Sequence, residues 1–165
     1  MYRIKSLTLL LASLLLFACS SNKTYKNDLN FSLGYIGGGY QGLILTNLLD
    51  SYLKSYSYLD EKSRYEIQAS IGHSANLYVT NIDNTSDREN IRSSLSVNIY
   101  DLKSECIAYS FSSSISSSYI FASGEKFLSN KEASKEIQYN NTEELVKKFI
   151  SKLMYARLNC AQTTE

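Results

Sequence analysis

Two rhythms of apolar residues run along this chain. Between Gln41 and Tyr56 the apolar positions are Leu45, Leu48, Leu49, Tyr52, Leu53 and Tyr56, a spacing that keeps them on one face of an α-helix. From Tyr65 to Val79 the period changes to two. Tyr65, Ile67, Ala69, Ile71, His73, Ala75, Leu77 and Val79 share one side, and Glu66, Gln68, Ser70, Gly72, Ser74 and Asn76 share the other. Such alternation predicts a long β-strand, with Gly72 marking a bend or bulge midway. The turn-forming stretch 81–90 predicts a hairpin loop. Ile91, Leu95, Val97 and Ile99 then supply the apolar face of a third strand, closed by a turn over 101–105. Ile107, Tyr109, Phe111, Ile115, Tyr119 and Phe121 alternate with Ala108 and a row of serines, so the last strand has one greasy and one hydroxylated face.

Upstream, Phe31, Leu33 and Tyr35 predict a short first strand, broken by Gly37-Gly38-Gly39. A phosphate-cradling loop would need a Lys-Ser/Thr pair after the glycines, and none follows. The triplet reads instead as a strand-to-helix turn. Residues 123–139 are polar without a clear period. Asn141, with Glu144 three residues on, has the pattern of a capping box. It precedes a final helix striped by Leu145, Val146, Phe149, Ile150, Leu153, Met154 and Leu158. The predicted order is β-α-β-β-β-α. A sheet with one apolar face must bury it, and two amphipathic helices provide the cover. The expected fold is therefore α+β, a two-layer sandwich with a mostly antiparallel four-stranded sheet. It forms one domain over 31–160, with 161–165 as a tail. The serine face and the strand edges remain open to a partner.

A length of 165 residues suits one domain, and 17 Lys+Arg against 16 Asp+Glu argues against a nucleic-acid binder held by bulk charge. With one His and three Cys, a zinc finger or a disulfide scaffold is poorly supported. Fourteen tyrosines suit pleated, half-buried surfaces. The lone His73 lies on the apolar face, with no second His to share a metal and no nucleophile marked by a G-x-S-x-G elbow. Glu143-Glu144 is explained by helix-start electrostatics, and Asp83, Asp87 and Glu89 lack calcium-loop spacing. The chain is expected to be no enzyme and to carry no cofactor or metal.

The first residues follow a separate logic. Arg3 and Lys5 precede an apolar run of 11 residues from Leu7 to Phe17, too short for a bilayer span of roughly 20 residues. That is the layout of a secretory signal peptide over 1–18. Leu16-Phe17-Ala18-Cys19 resembles the bacterial lipobox. The resemblance implies cleavage before Cys19, a diacylglycerol thioether on its sulfur, and an amine-linked acyl chain such as palmitate. Several acyl chains anchor far more firmly than one, at about 0.8 kcal/mol per buried methylene. Ser20 is not the Asp that commonly retains lipoproteins at the inner membrane. The implied location is thus the outer membrane, facing the periplasm. Residues 19–30 read as a lipidated, polar tether. Cleavage removes Arg3 and Lys5 and takes the formal charge from +1 to −1. In an oxidising periplasm Cys106 and Cys160 either form a disulfide or remain two thiols.

This lipobox, followed by the segments LILTNLLDSYLKSY, RYEIQASIGHSANLYV, IRSSLSVNIYDL and TEELVKKFISKLMYA, resembles the LptE family of lipopolysaccharide-assembly lipoproteins. The likeness is one of element order and pattern over roughly 31–158. It implies a plug inside an LptD-like outer-membrane β-barrel, assisting barrel assembly and lipopolysaccharide transport to the cell surface. It also implies that Arg88 and Arg92, flanking the hairpin tip, meet lipid A phosphates; the alternative is solvated loop charge. The competing expectation is an auxiliary lipoprotein of another envelope lipid-transport or cell-wall synthesis complex.

Overall fold

A computed structural model describes residues 29–79, 87–121 and 127–160. The signal-like segment, the lipobox with Cys19 and most of the tether lie outside the described residues, as do 80–86, 122–126 and the tail. The described elements are β1 (Phe31–Gly37), α1 (Tyr40–Ser55), β2 (Tyr65–Val79), β3 (Asp87–Asp101), β4 (Cys106–Phe121) and α2 (Phe127–Leu153). They form one α+β sandwich whose sheet runs β1-β2-β3-β4. The sheet is mixed: β1 pairs parallel to β2, and the other two pairings are antiparallel. The parallel pair follows from the α1 crossover, which returns the chain to the same end of the sheet. At the β1–α1 turn Gly38 has φ 117°, and a Cβ there would lie 2.7 Å from the Ile71 carbonyl oxygen. Only glycine fits that approach.

Pairing of β2 with β3 is unbroken from Tyr65 opposite Asp101 to Val79 opposite Asp87, so Gly72 marks no bulge. The irregularities lie elsewhere. The β1–β2 register shifts between Leu33 and Ile36, which turns Tyr35 out to 77% exposure and lets Ile36 pack on the core instead. In β4 the register shifts beside Ala108. The extra residue reverses the alternation, so Ala108 is buried and Ile107 is exposed, opposite to the simple period-two expectation. The third strand also starts earlier than expected, at Asp87, inside the stretch read as loop.

The larger correction concerns α2. The helix begins at Phe127, well before the expected cap. Asn141 is thus a mid-helix residue at 3% exposure. Glu143 does not compensate a helix start either: it accepts from the Tyr52 hydroxyl (2.8 Å) and pairs with Lys147 (2.8 Å). These partners, Lys147 first, hold its carboxyl below the ordinary value. Both helices lie on one side of the sheet. Leu45, Leu49 and Leu53 from α1 meet Val146, Phe149 and Ile150 from α2 over Ile67, Val97 and Ile99. Phe149 packs on Phe111 with ring centroids 5.5 Å apart.

Candidate functional site: the outward face of the sheet

The outward face is built by cross-strand rows. Antiparallel partners point to the same side, so the register reads off the surface directly. From base to tip the rows on β2, β3 and β4 are Gln68–Asn98–Ser110, Ser70–Ser96–Ser112, Gly72–Ser94–Ser114, Ser74–Arg92–Ser116, Asn76–Asn90–Ser118 and Tyr78–Arg88–Ile120. Apart from Gly72 and Arg92, hydroxyls and amides fill all but the last row. Arg92 and Arg88 supply the only charge in these rows, and both are cationic. The chain therefore presents a wet, hydrogen-bonding surface of positive sign at its far end.

Arg88 and Arg92 do not sit in a loop. Both lie in the central strand β3, four residues apart and on the same face, about 13 Å along the strand at ~3.3 Å per residue. Both are exposed. Arg92 Nη2 donates to Ser114 Oγ at 3.3 Å, across to the edge strand. Ser110 donates to the Asn98 side-chain oxygen at 2.9 Å. Near the base, Tyr35, Gln68, Ser70, Ser96 and Asn98 line a shallow depression of about 190 Å³. At the tip Tyr78 and Ile120 are exposed beside Arg88, so a largely apolar surface borders the outermost cation. The expected serine face is present, and β3 adds Ser94, Ser96 and Asn98 to it. Their signal was in the sequence, as the polar residues between Ile91, Leu95, Val97 and Ile99.

The inward face loses its apolar character in the same direction. His73 Nδ1 lies 2.7 Å from the Ser93 hydroxyl. Asn141 Nδ2 donates to Ser93 Oγ (3.1 Å) and to the Ile91 carbonyl (3.4 Å), and Ser117 donates to Asn141 Oδ1 (2.7 Å). The contact serves either neutral tautomer: a proton on Nδ1 is donated to Ser93, and a proton on Nε2 lets Ser93 donate to Nδ1. Nε2 is buried without a hydrogen-bond partner among the described residues. Burial holds the His73 imidazole below its ordinary pKa. Ser93 is 0% exposed, so it reads as a structural hydroxyl. Farther out, Tyr119 donates to Glu89, and burial followed by that carboxylate pushes the phenol up to about 12. Glu89, Tyr119, Asn130, Lys131, Ser134, Lys135 and Gln138 line a cavity of about 390 Å³ there.

Two features anchor the base. Arg64 grips the buried carboxylate of Asp101, with Nε–Oδ1 at 2.7 Å, and its guanidinium holds that carboxyl far below the usual range. This ion pair was not foreseen, because Asp101 reads as a turn residue until Arg64 is brought beside it. Cys106 and Cys160 are joined in a disulfide, Cα atoms 5.8 Å apart, tying the start of β4 to the segment after α2. Asp101 lies close to both sulfurs, but the bonded sulfurs offer no thiolate to a metal.

No family model matches this sequence, and no curated protein matches it. Solved structures do match in shape. A minor lipoprotein from Acinetobacter baumannii aligns with TM-score 0.59 at 16% identity, covering 81% of this chain and 96% of its own. Rare lipoprotein B from Shewanella oneidensis aligns with TM-score 0.60 at 8% identity, covering 77% of this chain and 93% of its own. At such identities the likeness speaks for architecture: the chain shares its fold with these two lipoproteins.

Proposed function

We propose that this protein is a lipid-anchored outer-membrane lipoprotein of LptE type, moored through Cys19 on the periplasmic side. In this reading it acts as plug and assembly partner of an LptD-like β-barrel, and assists lipopolysaccharide transport to the cell surface. The observation that supports it best is the outward sheet face: rows dominated by hydroxyls and amides and joined by Arg92, then Arg88 between Tyr78 and Ile120. A hydroxylated face suits the water-filled lumen of a large barrel. Guanidinium groups bind phosphate oxygens in bidentate fashion, and the tip pairs such a group with apolar neighbours, as an amphiphile with phosphate and acyl parts requires. The lipoprotein fold and the lipobox-like LFAC segment agree with an anchored envelope protein.

The test is photo-cross-linking from Ser112 and Ser116 in intact envelopes. Capture of a large outer-membrane barrel is expected. Capture of an inner-membrane permease or a peptidoglycan synthase instead would transfer the protein to the competing envelope system. For the lipid contact, Arg88→Glu with Arg92→Glu is expected to lower lipopolysaccharide binding at least tenfold; unchanged binding would remove the arginines from that role.

A further inference from the structure

The long edge of the sheet is unusual in what it lacks. β4 spans 16 residues without a Lys, Arg, Asp, Glu, His or Pro. Edge strands expose unpaired N–H and C=O groups, and proteins normally guard them with charge, proline or a covering segment. Among the described residues β4 has one strand neighbour, β3. On its other side a backbone bond runs from Asn159 N–H to the Ala108 carbonyl, 3.2 Å, next to the disulfide. The base of the edge is thus covered, and the cover reaches Ala108. Among the described residues, no further strand covers the edge from Tyr109 outward.

That stretch, Tyr109 to Tyr119, reads YSFSSSISSSY and is close to a palindrome about Ser114. We propose that the edge is a docking surface for a second copy of this chain, with β4 pairing antiparallel to β4 across a two-fold axis at Ser114. In that register Tyr109 faces Tyr119 of the other copy, Phe111 faces Ser117, and Ser113 faces Ile115. On the inward face Phe111 and Ile115 each meet a serine, and the two tyrosines meet each other as an aromatic pair. On the outward face Ser110 meets Ser118 and Ser112 meets Ser116, so the serine rows continue across the junction. No charge opposes another, since β4 carries none. The helices allow it as well. α2 packs over β3 and β4, so the two copies of α2 would lie about two strand spacings apart, roughly 10 Å, the distance at which helices pack. The product doubles the four-stranded sheet and places Arg88 and Arg92 of both copies on one continuous surface. The pairing is a property of the free chain and does not rest on the barrel reading; a barrel would compete with the second copy for the edge.

The experiment uses the full lipidated chain in mild detergent. Light scattering, corrected for detergent, is expected to give twice the 18.6 kDa chain mass less the signal segment. Ser114→Cys is expected to yield a covalent dimer with a short bis-maleimide, and Ser70→Cys, on the same face but away from the edge, is not. Ser112→Lys with Ser116→Lys sets like charges across the junction on exposed positions, and should return a monomer with an unchanged circular dichroism spectrum. A monomeric parent chain, a dimer that survives the two lysines, or equal cross-linking from Ser70 and Ser114 would each overturn the proposal.

Discussion

The two ends of the sandwich are built on different principles. At the base, Ile67, Ile99 and Val97 lie under Leu49, Leu53 and Phe149, all at or near 0% exposure. The disulfide and the Arg64–Asp101 pair clamp that end. At the far end the same strands continue, but β1 stops at Gly37 and α1 starts at Tyr40, so among the described elements α2 alone covers them. There the inward positions become Ser93, Ser117, His73 and Glu89, held by hydrogen bonds. Apolar burial is non-directional and tolerates small displacements, whereas a buried polar network is stable only when each group has its partner. The base is thus the stabilising half. The far end is the adaptable half, and it carries the arginines.

The largest losses are expected at the base. Phe149→Ala opens a cavity beneath both helices and is expected to cost about 3–5 kcal/mol in urea unfolding. Removing the disulfide with Cys106→Ser and Cys160→Ser frees a loop closed over 54 residues, an expected loss of about 2–4 kcal/mol by the same measurement. Asn141→Leu shifts the effect to the far end. It strips partners from Ser93 and Ser117 and is expected to cost about 1–3 kcal/mol. Amide exchange should quicken around Ile91 and Ser117 while Ile67 and Val97 stay protected; uniform loss of protection would show that the two halves unfold as one. A smaller effect comes from pH. His73 is depressed in the folded state, so the unfolded chain binds the proton more readily. Stability is complete above the unfolded value of about 6.5 and declines as pH falls below it. His73→Gln should flatten the decline between roughly pH 6.5 and 5, before carboxylates such as Glu143 begin to protonate. Smallest of all, Arg92→Gln on the outward face is expected to move stability by no more than about 0.5 kcal/mol.

Much of this difference was legible in the residues and some of it was not. The alternation through β2 predicted its span and its two faces, and the α1 stripe predicted the leucines that reach the core. The serine row of β4 announced a polar outward face. The far half of α2 was missed because its inward residues, Asn130, Gln138 and Asn141, are polar. A helix that packs on a polar strip has no apolar stripe to reveal it. Tyr35 and Ile107 were placed on the wrong side because one extra residue in a strand inverts every position beyond it. Nothing in the local sequence marks which residue will bulge. The pattern places Arg88 and Arg92 beside a hairpin tip, and their alignment on one face of β3 comes from a strand that begins inside the turn-forming stretch.

Periodicity is written in the residues, and with it the order of elements and the identity of the buried base. That information is local, since a side chain's face depends only on its place within its own helix or strand. The tertiary structure alone decided the bulges, the early start of α2, the pairing of Arg64 with Asp101, and the use of Asn141 as a bridge to Ser93, 48 residues away. Each of these depends on which distant groups are brought to within about 3 Å of one another, and a hydrogen bond forms or fails on that distance.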